Sequence, residues 1–87
     1  MNNIFFKPTD KWWSAVYDSN DANSILDTGI GLTTSGFANV PDDGWGTLLS
    51  FVFSESYRIQ IIHTWNYNKI YIRACYDENW TEWNQIG

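Results

Sequence analysis

Among the side chains most often used as general bases, activated nucleophiles or paired acids, the sequence has one histidine, His63, one cysteine, Cys75, and ten carboxylates. Nucleophilic catalysis needs a base within hydrogen-bond reach of the nucleophile and a third group orienting that base. His63 lies in an alternating run and faces the same way as Ile61 and Trp65, which fits a satisfied structural imidazole. Cys75, between Ala74 and Tyr76, reads as a buried, inert thiol, and a lone cysteine forms no intramolecular disulfide. The carboxylates cluster as Asp42-Asp43 and Asp77-Glu78 in stretches with turn composition. Glycoside cleavage needs two carboxylates roughly 5 to 10 Å apart across a cleft, and solvated turn residues explain these clusters better. A calcium or magnesium site at Asp42/Asp43 or Asp77/Glu78 is the sharper alternative, because hard cations take carboxylate and backbone oxygens from loops. Neither turn has the ordered spacing of an EF-hand loop. The expectation is a non-enzyme with no cofactor and no metal centre.

Recognition is better provided for than catalysis, since 16 of the 87 residues are Phe, Trp or Tyr. Trp65 stands next to a turn and is followed by Tyr67, so it is the candidate for an exposed ring that stacks on a sugar, with a place in the core as its alternative. Arg73 sits between Ile72 and Ala74 near aromatic residues. It is expected either to stack on Trp80 or Trp83 and hydrogen-bond a backbone carbonyl, or to grip acidic sugars or phosphates with one edge of its guanidinium. Trp80 and Trp83 are expected to clamp the end of the sheet.

Several elements must position these residues. In Thr9–Tyr17 a capping residue precedes apolar positions 12, 13, 16 and 17, which share one face at helical spacing and predict a short helix. The polar run Asp18–Asn23 is a loop. Ser24–Leu32, broken by Gly29 and Gly31, predicts a short strand with a turn or bulge. Phe37–Gly46 contains Pro41 and two glycines and reads as a turn. Thr47–Ser54 is too apolar for a strand open on one side and is expected to lie centrally with both faces covered. Tyr57–Trp65 alternates, with Tyr57, Ile59, Ile61, His63 and Trp65 opposite Arg58, Gln60, Ile62 and Thr64. The Arg58/Gln60 face would meet solvent or an inter-subunit seam. After the turn Asn66–Lys69, Ile70–Tyr76 returns, and Asp77-Glu78-Asn79 turns the chain into Trp80–Trp83. The fold expected is mainly β (α+β), a small antiparallel meander with one short N-terminal helix.

Eighty-seven residues make one domain with a small core. Five basic against ten acidic side chains give a net charge of −5, the wrong sign for neutralising phosphates, so nucleic acid is not an expected partner. No apolar stretch approaches the ~18 residues of a membrane span, and the first residues carry no basic leader with a long apolar run. Synthesis in the cytoplasm without a signal peptide or membrane insertion is the expectation.

In order along the chain stand Asn23-Ser24-Ile25-Leu26-Asp27-Thr28-Gly29, Ala38-Asn39-Val40-Pro41, Gly44-Trp45-Gly46-Thr47-Leu48-Leu49, Arg58-Ile59-Gln60-Ile61, Ile70-Tyr71-Ile72-Arg73 and Trp80-Thr81-Glu82-Trp83. This series resembles the pyocin-knob family of bacteriophage and pyocin tail fibres. Ile30 departs from it, standing where the family often has an aromatic, and the first 22 residues match no part of the pattern. The resemblance implies a knob-like β domain over residues 23–87, preceded in residues 1–22 by a linker or a helix docking it on earlier fibre or shaft segments. It makes Trp45, Gln60, Tyr71, Arg73, Trp80 and Trp83 the structural motif residues. It further implies a homotrimeric, virion-borne tail fibre that adheres to a glycan or protein of the bacterial surface. A free-standing carbohydrate-binding module and a purely structural fibre spacer are the alternatives.

Overall fold

The computed structural model describes residues 20–87. Among these residues a 3₁₀ turn at Ala22–Ser24 precedes six strands: β1 (Gly29–Thr33), β2 (Gly46–Ser54), β3 (Tyr57–Thr64), β4 (Lys69–Tyr76), β5 (Asn79–Trp80) and β6 (Asn84–Gln85). They form one antiparallel sheet in the order β1-β2-β3-β4-β5, with β6 also paired to β4. This is the expected meander. The predicted helix at Thr9–Tyr17 lies outside the described residues.

Local chemistry explains the strands and turns. β3 and β4 are rich in Ile and Tyr, which suit a pleated, half-buried surface. Between β4 and β5, Asp77 and Glu78 both adopt positive φ, 54° and 66°, the primed turn whose twist matches that of the flanking strands. The β2–β3 turn is held by the Ser54 hydroxyl, which accepts from the backbone N–H groups of Ser56 and Tyr57. Trp80–Trp83 is not one strand. β5 covers Cys75 and Tyr76, β6 covers Tyr71 and Ile72, and the chain bows out between them. Within that bow Thr81 keeps the edge satisfied, its N–H donating to the Ala74 carbonyl and its hydroxyl accepting from the Ala74 N–H.

The two faces of the sheet differ from expectation in which one is inside. Arg58 and Gln60 face inward with Ile62 and Thr64, alongside Leu48 and Ser50 of β2 and Arg73 and Cys75 of β4, all buried. Over them lie Asn20–Thr28 and the loop from Thr34 to Trp45. Ala22, Ile25 and Phe37 join Leu48 and Ile62 in the apolar core, with Val40, Tyr71 and Trp83 packed against it. An irregular segment over a sheet carries backbone carbonyls that need donors. The polar strand residues supply them: Gln60 Nε2 donates to the Ala22 carbonyl at 2.8 Å, and Arg58 Nη1 to those of Asn23 and Ile25 at 2.9 and 3.0 Å. Ala22 is fully buried, and its N–H donates to the Ala38 carbonyl.

The opposite face carries Leu49, Ile59, Ile61, His63, Ile72 and Ala74, all half-buried, and ends in Phe53, Tyr57 and Tyr76, all exposed. β2 is flanked on both sides, as expected, yet buries only its Leu48/Ser50 face and leaves Phe53 at 63% exposure.

Candidate functional site

The residues singled out from sequence divide between two places. Trp65 and Tyr67 lie at the β3–β4 turn, 39% and 50% exposed. Arg73 lies inside, 6% exposed.

At the β3–β4 end the sheet register brings β2 and its preceding turn beside the hairpin. The Trp65 N–H donates to the Trp45 carbonyl, and the Trp65 indole N–H to the Thr47 hydroxyl at 2.9 Å. The two indoles stand 6.2 Å apart at 34°. Trp45, 38% exposed, therefore joins Trp65 in one aromatic platform, with Tyr67 beyond it and the Lys69 ammonium 5.9 Å from the Tyr67 ring. Gly44 makes this possible. Its φ is +93°, and a Cβ there would come within 2.7 Å of the Thr34 carbonyl oxygen. Gly44→Ala is expected to cost about 2 kcal/mol from the left-handed backbone and the contact together, read as a lower urea midpoint at unchanged m-value.

The acidic pair behind the platform is occupied by protein donors. Asp42 accepts from the Thr64 hydroxyl at 2.7 Å and from the Tyr71 hydroxyl at 3.2 Å on each of its oxygens. Asp43 accepts from the Asn66 amide at 2.8 Å and from the Trp45 N–H at 3.2 Å. The Asn66 amide, followed by the Trp45 N–H, holds the Asp43 carboxyl below its ordinary range. Partial burial and the Asp42 carboxylate push the Tyr71 phenol up. These bonds fix the rims of the platform, and among the described residues no group of three or more His, Cys, Asp or Glu side chains could hold a metal ion.

The second place is a stack. Its members run Arg58, Trp80, Arg73, Trp83, with guanidinium-to-ring separations of 4.8, 3.8 and 4.7 Å in turn. Arg73 Nε and Nη2 donate to Gln60 Oε1 at 3.0 and 2.8 Å, and Nη2 also to Asn23 Oδ1 at 2.7 Å. The stacking matches one sequence expectation, but the acceptors are side-chain amides, not a backbone carbonyl. The alternative, a guanidinium edge free to grip acidic sugars, does not fit a side chain buried between rings and amides. Burial pulls its pKa down to about 10, against the pull of Asp21 upward. Trp83 contributes a further bond, its indole N–H donating to the Asn39 carbonyl at 3.0 Å. Trp80 and Trp83 thus clamp the arginines and the overlying loop.

The remaining chemistry-bearing residues are engaged. His63 Nε2 lies 2.9 Å from Asn68 Oδ1. Cys75 is fully buried, with Arg58 Nη2 at 4.0 Å from its sulfur. Sequence reasoning assigned Trp45 to the fold alone. The signal for pairing it with Trp65 was the strand register, which places Gly46 opposite Thr64.

No protein-family model matches the sequence, and no curated protein matches it. Two solved structures are similar in fold. The C-terminal part of the P. aeruginosa R1 pyocin fibre superimposes with a TM-score of 0.70 at 25% identity, over 94% of this chain and 22% of that one. An N-truncated R2-type pyocin tail fibre does so with a TM-score of 0.71 at 17% identity, over 94% of this chain and 34% of that one. The chain thus spans between about a fifth and a third of the fibre fragments it resembles, and its fold is of the tail-fibre type.

Proposed function

We propose that this chain is a non-catalytic knob domain of a phage or pyocin tail fibre, working as a homotrimer within the fibre and adhering to the bacterial surface through the Trp45–Trp65 platform. The tail-fibre fold supports the structural role, and the exposed indole pair is the observation that carries adhesion. Flat, half-exposed rings stack on the apolar faces of sugars, and the amides and carboxylates beside them can take sugar hydroxyls.

The electrostatics narrow the ligand. Among the described residues there are eight carboxylates, seven of them exposed, while both arginines are buried and only Lys69 reaches the surface. The platform therefore suits an uncharged envelope glycan better than an acidic one.

Titration of host envelope polysaccharide into the intact protein, followed by tryptophan fluorescence, tests this. Trp65→Ala and Trp45→Ala are each expected to weaken binding at least about fivefold, in line with about 1 to 3 kcal/mol for an aromatic stacking contact, at little change in melting temperature. Light scattering of the fibre should give three copies. Binding that survives both substitutions would overturn the adhesive site, and binding abolished by Trp65→Ala or Tyr67→Ala in a stable monomer would favour a free-standing carbohydrate-binding module. Silence on every envelope fraction would leave the structural spacer.

A further inference from the structure

The end of the sheet opposite the indole platform carries a second surface. The β2–β3 register slips between Val52 and Ser54, leaving Phe53 in a bulge. A bulge re-aims the side chain it carries, and here the Phe53 ring stacks on Tyr57 at 5.2 Å and 24°. Tyr57 in turn meets Tyr76 edge-on at 6.3 Å and 81°. The three rings are 63%, 43% and 74% exposed, so this end presents more open ring surface than the indole platform.

The surface continues along the sheet. Tyr57 pairs with Tyr76, and Ile59 with Ala74 two residues on, so both pairs share one face. Ile59 and Ala74, together with Ile72, Arg73, Thr81, Glu82 and Asn84, line an open groove of about 310 Å³ beside the bow between β5 and β6. Its rim is acidic. Glu55 follows Phe53 in the β2–β3 turn, Asp77 and Glu78 follow Tyr76, the Glu78 N–H approaches the Ser56 carbonyl at 3.5 Å and joins the two turns, and Glu82 lines the groove. Arg73 reaches the groove wall, but its guanidinium is buried over Trp80 and Trp83; Arg58 is buried too and Lys69 lies at the far end of β4, so no described base is exposed at this rim.

The geometry points to a docking surface for a protein segment that carries lysine or arginine beside apolar residues. Charge complementarity decides the occupant. Ring faces attract cations and carboxylates pair with them, while the groove takes apolar side chains. The β4 edge is closed by β5 and β6, so the segment is held by side chains and not by adding a strand. This reading does not depend on the glycan site.

Nuclear magnetic resonance of the intact protein with two synthetic ten-residue peptides, one alternating lysine and leucine and the other glutamate and leucine, tests it. The lysine peptide is expected to shift the signals of Tyr57, Ile59, Ile72, Ala74 and Tyr76, and the glutamate peptide to shift none of them. Tyr76→Ser and Phe53→Ser, both at exposed positions, should each weaken the lysine peptide about two- to fivefold. Glu78→Gln with Glu82→Gln should weaken it further and flatten its salt dependence. Equal binding of both peptides, shifts confined to the Trp45–Trp65 end, unchanged affinity in these variants, or full competition by tetramethylammonium alone would each overturn the proposal.

Discussion

Replacing Arg73 by alanine is expected to destabilise the domain by about 4 kcal/mol. Hydrogen bonds to charged groups each contribute about 1.5 to 3 kcal/mol, and a desolvated cation–π contact about 2. Arg73 makes three such hydrogen bonds to Gln60 and Asn23 and lies over two indoles. Removing it strands both amide oxygens in the interior and opens a gap between Trp80 and Trp83. The cost of having desolvated the guanidinium is recovered, which keeps the loss well below the sum of the contacts. Arg73→Lys should lose about 2 to 3 kcal/mol, since an ammonium can neither lie flat between rings nor donate in a fork. The check is chemical denaturation, with Gln60→Leu, Arg73→Leu and the Gln60→Leu/Arg73→Leu double variant forming a cycle. The double variant is expected to lose about 2 kcal/mol less than the two singles together, because neither polar partner is then left alone. Strict additivity would show that the pair is not coupled.

Trp83→Ala is expected to cost about 3 kcal/mol, the lower end for large aromatic truncations because the ring is only half-buried. Three contacts go at once: packing against the core, the face over Arg73, and the bond to the Asn39 carbonyl. Trp83→Phe separates them. It keeps most of the packing and a ring over the guanidinium but leaves the carbonyl without its donor, for about 1 kcal/mol. In a domain of this size 1 kcal/mol moves the melting temperature by about 4 to 8 °C. The alanine variant should therefore melt at least 10 °C lower. A shift of a degree or two would mean that the loop around Asn39 is held by other contacts.

Much of the fold was legible from the residues. The three long strands fall where an apolar run (β2) and alternation (β3 and β4) placed them, β2 and β4 each beginning one residue earlier and β3 ending one residue earlier than expected. That the chain around Trp80–Trp83 divides into two short pairings was not legible from its composition. The segment bows out because Thr81 satisfies Ala74 from outside the ladder, a bond no local pattern announces. Trp65 and Tyr67 were singled out by their position at a turn, where the structure leaves both rings exposed. Trp45 was not, since its nearness to Trp65 depends on β2 pairing with β3.

Alternation by itself separated Arg58, Gln60, Ile62 and Thr64 from Tyr57, Ile59, Ile61 and His63, and fixed that the two sets point opposite ways. It could not say which set is inside. By hydrophobicity alone the isoleucine and tyrosine set belongs in the core, yet the structure buries the arginine and the glutamine. The deciding contacts lie 33 to 38 residues away, at the carbonyls of Ala22, Asn23 and Ile25. A loop laid over a sheet must have its backbone acceptors satisfied, and long polar side chains rising from the strand do so where isoleucine cannot. That requirement exists only once the chain has folded back on itself, so the tertiary structure decided it.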